Sequence, residues 1–407
     1  MGERRSVTIG HTVGSTITLD ELERDPYPAY ARLRDEEPVS FVPAVGLWLV
    51  TRHDDVKQVA TDPDTFTAAT DPSTLNRTMG VNMLGMEGPE QQWIRAITEV
   101  PFRPRDVEER TQGMIPRLAG ELLDGVAERG EADLFREYAD PMSVRSLCFM
   151  LGLESVPWQD ILRWNEGLMP GLANFEGDPA KQAPADEAAA ALHAAIGEVL
   201  DRLDDEPDGS VLSWMLHHEE AGRRMSREQI VANTTLMLSG GLQEPRDVIA
   251  LTLWALLSNA SQLEQVRADR SLVKAAVEET LRWAGPVGTA TRQTTRDVTL
   301  AGVDLEQGAL IGAVLSSANR DPRRWTDPDT FDIHRKEGAH LAFSAGTHFC
   351  LGAWFGRHLA RVTLDLVLDR LPALELDAAR PVTLSGWEFR APDSLWVRWQ
   401  NEWRTQP

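Results

Sequence analysis

The feature that most limits the possible folds of this chain is a cysteine placed between two glycines at the start of a helix. Segment 343–352 reads FSAGTHFCLG, so Gly346 and Gly352 stand four residues before and two residues after Cys350. Glycine permits a positive φ and lets the backbone approach a flat ligand closely. The sequence that follows, AWFGRHLARVTLDLVL, has helical periodicity. Because a helix N-terminus stabilises a thiolate, we expect a lowered pKa for Cys350; a buried structural cysteine in a turn is the alternative.

Cysteine usage and charge exclude several classes of protein. Cys148, the only other cysteine, lies in the apolar run SVRSLCFML and is expected in the core, so there is no disulfide scaffold. The N-terminal residues have no apolar signal-peptide region, and no uncharged apolar run is long enough to span a bilayer. The net charge of −22 opposes nonspecific binding to nucleic acid or anionic membranes. We therefore expect a cytoplasmic protein that binds neither nucleic acid nor membrane.

The chain shows no linker, proline-rich tract or internal repeat, so we expect a single domain over residues 1–407. Its 42% apolar residues suffice for a large core. Periodicity predicts a mainly α (α+β) fold. The predicted helices are 27–36, 226–257, 271–284 and one from about Cys350 to 370. The predicted strands are a hairpin at 38–50, segments 297–300 and 309–315, and hairpin material at 382–400. Loops are predicted at 169–186 and 205–210.

The cysteine segment resembles the haem-binding loop of cytochrome P-450 proteins: Phe, two small residues, Gly, any residue, His, any residue, Cys, any residue, Gly. Further segments resemble the family in the right order, among them DPYPAYARLR at 25–34 and SANRDP at 317–322. The resemblance covers essentially the whole chain. It implies the cytochrome P-450 fold, helix-rich with small β-sheets, and a haem b whose iron has Cys350 as its thiolate ligand. Such a ligand favours O–O cleavage.

The same resemblance implies further contacts with the haem. Phe343 is expected beside the sulfur and Gly352 beside the porphyrin, while His348 and Arg292 are expected at the propionates. Segment 87–95 resembles one that carries a His-x-x-x-Arg propionate pair. There Arg95 is retained, but Gln91 stands in place of the histidine.

A buried ion-pair network is also implied. Glu279 and Arg282 are spaced i, i+3, so they share one face of a helix. By resemblance they bond Arg335 of the segment FDIHR and stabilise the core beneath the haem, which is a structural role. A surface ion pair of little energetic value is the alternative.

The oxygen-activation segment departs from the family pattern. Helix 226–257 contains LSGGLQEPRDV, where typical members have an acid followed by an alcohol. Aligned on Gly240 and Gly241, this chain has Gln243 and then Glu244. We hypothesise that Glu244 delivers or relays protons to iron-bound oxygen, since a carboxyl group in an apolar pocket tends to a raised pKa. In the alternative, Glu244 turns away and pairs with Arg246 or another base.

The Gln-Glu-Pro sequence resembles that of bacterial O-demethylases of lignin-derived methoxyphenols, the guaiacol and syringol type. The implied reaction hydroxylates an aryl methyl ether, and the hemiacetal collapses to formaldehyde and a phenol. Pocket residues by resemblance are Met79, Leu172, Gly240, Val287, Thr289 and Phe389. Of the three that map onto aromatic residues, only Phe389 is aromatic here, so we expect room for a bulky ring such as a dimethoxyphenol. Met79 and Leu172 are equally well explained as core residues.

No flavin domain, iron–sulfur domain or dinucleotide fingerprint is recognisable in the sequence. We therefore expect electrons from NAD(P)H through a separate ferredoxin and flavin reductase, with dioxygen or hydrogen peroxide as oxidant and a monomer acting on a small aromatic substrate. Basic residues such as Arg103, Arg105, Arg357 and Arg361 are candidate docking residues, or simply solvated. Alternatives are a peroxide-dependent hydroxylase, a monooxygenase on a terpenoid, fatty acid or antibiotic scaffold, a carrier-protein-dependent tailoring enzyme, and a haem-thiolate binding or sensor protein.

Overall fold

The fold is that of a computed structural model, which describes residues 12–172, 174 and 177–400. Most of the described chain is helical. The helices are α1 Val13–Thr16, α2 Leu19–Arg24, α3 Tyr27–Glu36, α4 His53–Thr61, α5 Thr74–Met79, α6 Gly88–Thr98, α7 Pro104–Thr111, α8 Met114–Ala127, α9 Asp140–Leu151, α10 Trp158–Leu172, α11 Pro179–Asp205, α12 Val211–His217, α13 Arg227–Ser258, α14 Ala260–Ala268, α15 Val273–Ala284, α16 Leu315–Ala318 and α17 Ala353–Arg370. Within these described ranges, no helix is both long and apolar enough to cross a membrane.

The strands are short. They are β1 Val39–Val42, β2 Leu47–Val50, β3 Phe66–Thr67, β4 Glu131–Asp133, β5 Thr289–Thr294, β6 Val298–Leu300, β7 Val303–Leu305, β8 Leu310–Val314, β9 Glu375–Leu376, β10 Leu384–Ser385, β11 Ala391–Pro392 and β12 Trp396–Arg398. The largest sheet has the order β1-β2-β8-β5-β3, and only β2 and β8 pair in parallel. The predicted hairpins are confirmed, since β1 pairs with β2 and β10 pairs with β11, both antiparallel.

Helix α13 forms the centre of the main core and packs against α9, α11, α15 and α17. It begins with a capping box: the Ser226 hydroxyl accepts from the Gln229 backbone, and the Gln229 side chain accepts from the Ser226 backbone. The helix then continues past Pro245 to its end. Packing on four sides therefore maintains a helix that its glycines and proline would weaken in isolation.

The cysteine loop folds tightly before α17. The Cys350 N–H donates to the Phe343 carbonyl over 3.0 Å, which closes the loop on itself. Gly346 has φ +69°, and a Cβ there would lie 2.7 Å from the Ala60 carbonyl at the end of α4. Ser344 has φ 58°, a left-handed conformation that costs a non-glycine residue free energy. The backbone shape of this loop explains why glycine suits the position that serine holds here.

The predicted loop at 169–186 is largely wrong. Helix α10 continues to Leu172, and α11 already begins at Pro179, with the Asp178 side chain accepting from the Ala180 N–H. Proline at the first helical position fits this start, because its missing N–H has no intrahelical partner there. Apolar packing between α10 and α11 then outweighs Pro170 and Pro184, which both lie inside helices.

Candidate active site

The middle of α13 and the cysteine loop each have an accessible position. Gly240 is exposed although Leu238 and Leu242 on the same helix are fully buried, and a Cβ on Gly240 would meet no atom within 4 Å. On the opposite side Cys350 is partly accessible. The charge of Glu244 contributes to the pKa of Cys350, so the two side chains are near each other. Glycine on α13 thus leaves room beside the thiol for a flat group.

The thiol itself is strongly desolvated. Burial raises the pKa of Cys350 to about 11, although the Gly352 backbone N–H, Arg95 and Arg357 all act to lower it. The backbone at the helix N-terminus therefore acts to lower the pKa of Cys350, as expected, but burial outweighs this effect. The prediction of a low pKa is wrong for the thiol without a bound metal. A bound metal ion reverses this balance, because a coordinating thiol is deprotonated outright. The chemistry of this site suits a thiolate that forms only when a metal binds it.

Two residues of α6 hold the cysteine loop from the side. The Gln91 side-chain amide donates to the Thr347 carbonyl over 3.3 Å, and the Arg95 guanidinium donates to the Phe349 carbonyl over 2.7 Å. Arg95 also approaches Glu99 at 3.7 Å. Both side chains, which were expected at a propionate, donate to carbonyls of the cysteine loop. They lie one helical turn apart, so one face of α6 fixes the loop.

Arg292 on β5 is a buried cation without a close anionic partner among the described residues. Its side chain is 4% exposed, and its hydrogen bond is to the Thr291 carbonyl. Burial lowers its pKa, opposed by the nearby charge of Glu87. The Glu87 carboxylate is itself bonded to His348, with Nε2 and Oε1 2.9 Å apart. A buried arginine with this much unused donor capacity fits a carboxylate ligand such as a haem propionate.

Glu244 forms no ion pair with the neighbouring arginine, Arg246, in the described part of the chain. Arg246 bonds Asp140 at 3.1 Å and Asp247 at 2.8 Å, so the predicted alternative of a Glu244–Arg246 pair is not what forms. Glu244 Oε2 is shut off from solvent and has no hydrogen-bond partner among the described residues. Burial raises the pKa of Glu244 to about 8. The carboxyl group is therefore protonated at neutral pH and can donate a proton into the space beside Gly240.

The backbone near Pro245 is stabilised by α9. Proline has no N–H, so the Gly241 carbonyl loses its helical donor. The Ser143 hydroxyl lies 2.6 Å from the Leu242 carbonyl, to which it donates, and 3.5 Å from the Gly241 carbonyl. A Cβ on Gly241 would lie 2.8 Å from Leu147 Cδ2, which shows how closely the two helices approach here.

The predicted ion-pair network is brought together and buried. Glu279 binds Arg282 bidentately at 2.7 and 2.8 Å and Arg335 at 3.1 Å. The exposed fractions of these three residues' side chains are 4%, 2% and 9%. Arg282 also donates to three backbone carbonyls, those of Asn319, Pro328 and Thr330. The network connects α15 to the irregular segment that precedes the cysteine loop.

Comparison with known proteins decides the family. "Cytochrome P-450 107B1" of Saccharopolyspora erythraea is 33% identical over 391 residues, which are 91% of this chain and 93% of that protein. The chain belongs to the cytochrome P-450 family. The family model for cytochrome P-450 matches residues 181–373. "Steroid C26-monooxygenase" of Mycolicibacterium smegmatis is 33% identical and covers 90% of this chain and 91% of its own length.

The solved structure of CalO2 resembles this cytochrome P-450 with a TM-score of 0.85 at 29% identity, covering 94% of this chain and 98% of that one. The helix-rich fold predicted from the sequence is thereby confirmed. Family membership makes the protein a haem-thiolate monooxygenase. Its own residues fit the group: a desolvated thiol, an open space before Gly240 and a buried, underused arginine all meet at one site.

Apart from Gly240, the expected pocket residues of this cytochrome P-450 lie in four segments. Met79 is buried at the end of α5 and Leu172 is half-buried at the end of α10. Val287 and Phe389 form an isolated antiparallel bridge, and Phe389 is 50% exposed. Thr289 is buried, and its hydroxyl has no hydrogen-bond partner among the described residues. That unpartnered hydroxyl is available to a polar group of a ligand.

Several residues of the site were not recognised from sequence. Glu87 bonds His348, Ser143 bonds the α13 backbone, and Glu278 bonds Arg357. Arg357, expected as a docking residue, is only 19% exposed and is occupied by that carboxylate. Only Glu278 had a local signal in the sequence, because it directly precedes Glu279, which was already assigned to the ion-pair network. The partners of the other two residues are distant in sequence.

Proposed function

We propose that this cytochrome P-450 catalyses the oxidative O-demethylation of a lignin-derived methoxyphenol of the syringol or guaiacol type. The observation that carries the proposal is Glu244 in the segment Gln243-Glu244-Pro245, whose carboxyl oxygen Oε2 is buried and has no hydrogen-bond partner among the described residues. The resemblance assigns the Glu244 position to an alcohol in typical members and this segment to the methoxyphenol group. A built-in acid at this place supports a specialised monooxygenase.

Glu244 has a defined task in this reaction. One oxygen atom of dioxygen enters the methyl C–H bond and the other leaves as water, which consumes two electrons and two protons. Glu244 is protonated at neutral pH and can pass a proton into the site, then regain one. The hydroxylated methyl ether is a hemiacetal, which breaks its C–O bond to give formaldehyde and the phenol. Gln243 cannot ionise and is assigned to hydrogen bonding.

We propose that the thiol of Cys350 is the ligand of the haem iron. The residues assigned to the edges of the haem are Arg292, Arg95, His348 and Gln91. Phe343 and Gly352 complete its surroundings. When bound, the haem supplies the oxygen activation that no side chain can perform. The chain's own part is to hold it, to keep water out and to supply protons.

The substrate is assigned to the space in front of Gly240, with Met79, Leu172, Val287, Thr289 and Phe389 as its wall. Met79 and Leu172 replace rigid rings by adaptable side chains, which supports a substituted ring such as syringol. The Thr289 hydroxyl has no hydrogen-bond partner in the part of the chain that the structure describes, and it suits the phenol oxygen or the methoxy oxygen.

Bacterial cytochromes P-450 typically take electrons from separate ferredoxin and reductase partners. For this chain we propose NAD(P)H as the source, a flavin reductase with a ferredoxin as carriers, and hydrogen peroxide as a secondary oxidant. We further propose that residues 1–407 form one haem domain, that the protein works as a monomer in the cytoplasm, and that it binds neither nucleic acid nor membrane.

A spectral titration of the ferric protein with guaiacol, syringol and 4-methoxybenzoate tests the substrate. We expect a Soret shift toward high spin with the methoxyphenols, stronger with syringol than with guaiacol, and formaldehyde in stoichiometric amount on turnover. Binding of 4-methoxybenzoate alone, or no shift with any compound, would refute the methoxyphenol proposal and leave the haem assignment intact.

The role of Glu244 is tested by Glu244→Gln and Glu244→Asp. The glutamine variant should retain haem and substrate binding but lose most turnover, while the aspartate variant, still an acid, should retain part of it. Equal turnover of the glutamine variant and the unmodified enzyme would show that Glu244 carries no proton.

A second candidate is a monooxygenase that hydroxylates a larger natural-product or steroid scaffold. It is favoured by the relative named as a steroid C26-monooxygenase, which covers most of this chain. The two candidates give different products, because only O-demethylation releases formaldehyde. A steroid that binds more tightly than syringol, with no formaldehyde from methoxyphenols, would favour the second.

A further inference from the structure

A second acid, the partly exposed Glu278, bonds the helix that follows the cysteine. Glu278 precedes Glu279 on α15 and therefore faces a different neighbour. Its carboxylate binds the Arg357 guanidinium at two points, with Nε 2.6 Å from Oε1 and NH2 3.0 Å from Oε2. Arg357 lies on α17, two turns beyond Cys350. Bidentate pairing of this kind fixes the plane of the guanidinium.

His340 completes the carboxylate's surroundings. Its Nε2 lies 3.2 Å from Glu278 Oε2, and its Nδ1 accepts the Ala342 backbone N–H at 3.1 Å. Because Nδ1 acts as acceptor, it bears no proton, and the proton on Nε2 is the one donated to Glu278. Burial opposes ionisation of Glu278, but bonds from His340 and Arg357 outweigh it and lower the pKa to about 2. The group thus contains one carboxylate and one guanidinium, with the imidazole bonded to the carboxylate.

The positive end of this group reaches the cysteine loop. The Arg357 guanidinium lies over the Phe343 ring, 4.3 Å from its centroid, in a cation–π arrangement. The Phe343 carbonyl accepts the Cys350 N–H over 3.0 Å. The Arg357 guanidinium is therefore bonded to Glu278 on one side and stacked on Phe343 of the cysteine loop on the other.

We propose that Glu278 is a positioning residue that acts through Arg357 and Phe343 to set how strongly the Cys350 thiolate donates electrons, and with it the reduction potential of the haem. A positive charge near the sulfur withdraws electron density and favours the reduced state, while the paired carboxylate offsets it. While both charges are present, their effects on the reduction potential oppose each other. This inference rests on the haem-thiolate character of the family and not on the substrate or on Glu244.

The test is a spectroelectrochemical titration of the haem-containing full chain at fixed pH and ionic strength. Glu278→Gln keeps the size of the side chain and removes its charge, so the potential should rise. Arg357→Gln removes the positive charge, so the potential should fall. The double variant, again neutral overall, should lie between the two. Arg357→Lys should recover most of the fall, because it restores the charge without the bidentate bond.

Glu109→Gln is the matched control, because Glu109 pairs with Arg105 at 2.7 Å on an exposed surface and the same single charge is lost. Its potential should match that of the unmodified protein. The ferrous–carbonyl spectrum of each variant checks that the thiolate ligand is intact. Shifts of the same sign in Glu278→Gln and Arg357→Gln, or shifts no larger than that of the control, would overturn the proposal. If Arg357→Gln fails to incorporate haem, the predicted rise in Glu278→Gln decides alone.

Discussion

Alanine at each of the two adjacent glycines of α13 is expected to change stability in opposite directions. In a helix interior, replacing glycine by alanine stabilises by roughly 0.8–1.0 kcal/mol. A Cβ on Gly240 would meet no atom of the described residues within 4 Å, so Gly240→Ala should show this gain in full in the protein without haem or substrate. A Cβ on Gly241 would lie 2.8 Å from Leu147 Cδ2, in a core where Leu147 is 2% exposed. Overpacking of this kind costs about 1–3 kcal/mol. We therefore expect Gly241→Ala to be less stable than Gly240→Ala by about 1–3 kcal/mol.

Urea unfolding followed by tryptophan fluorescence and circular dichroism measures this difference. The variants and the unmodified protein must be compared at equal haem occupancy, because a ligand bound only to the folded state adds to its stability. A double variant identifies the cause: with Leu147→Ala the contact disappears, and adding Gly241→Ala should then no longer destabilise. Leu147→Ala alone supplies the reference for that comparison.

Equal unfolding free energies for Gly240→Ala and Gly241→Ala would refute the packing argument. So would a penalty for Gly241→Ala that persists unchanged when Leu147 is already alanine. In either case the approach of α9 to α13 would not be what requires glycine at residue 241.

Three further predictions concern stability. Glu279→Gln leaves two buried guanidinium groups without their carboxylate and should lower the free energy of unfolding in urea by about 3–5 kcal/mol. The control Asp329→Asn, at an ion pair whose acid is 73% exposed, should lower it by at most about 1 kcal/mol. Similar losses in the two variants would contradict the role of the network. Ser143→Ala removes the donor to the Leu242 carbonyl and should lower the free energy of unfolding by about 1–3 kcal/mol in the same assay. Unchanged stability would contradict that bond. Burial raises the pKa of Glu244 from 4.5 to about 8, so between these values the folded state holds a proton that the unfolded state has released. Stability should then fall as pH rises through this window, by at most about 1.4 kcal/mol per pH unit, and Glu244→Gln should abolish that slope; identical pH profiles would contradict the raised pKa.

Local signals predicted the elements that depend on neighbouring residues. The capping box at Ser226, the hairpin over 38–50 and the helix after Cys350 were all recognisable, because each depends on residues within a few positions of one another. The cysteine loop was recognisable for the same reason. Where the local signal conflicted with packing, the prediction failed: Pro170 and Pro184 suggested a loop, but helices α10 and α11 pack against each other across that region.

The sequence by itself determined the family, the haem-thiolate chemistry and the unusual acid at Glu244, since these follow from residue types at fixed spacing. Only the tertiary structure decided where the side chains bond. Arg246 binds Asp140, which lies 106 positions away, and Glu244 Oε2 has no hydrogen-bond partner among the residues described. Likewise His348 bonds Glu87, 261 positions away, rather than remaining free. The physical reason is that hydrogen-bond partners of buried polar groups are chosen by which helices pack together, and no local pattern encodes that choice.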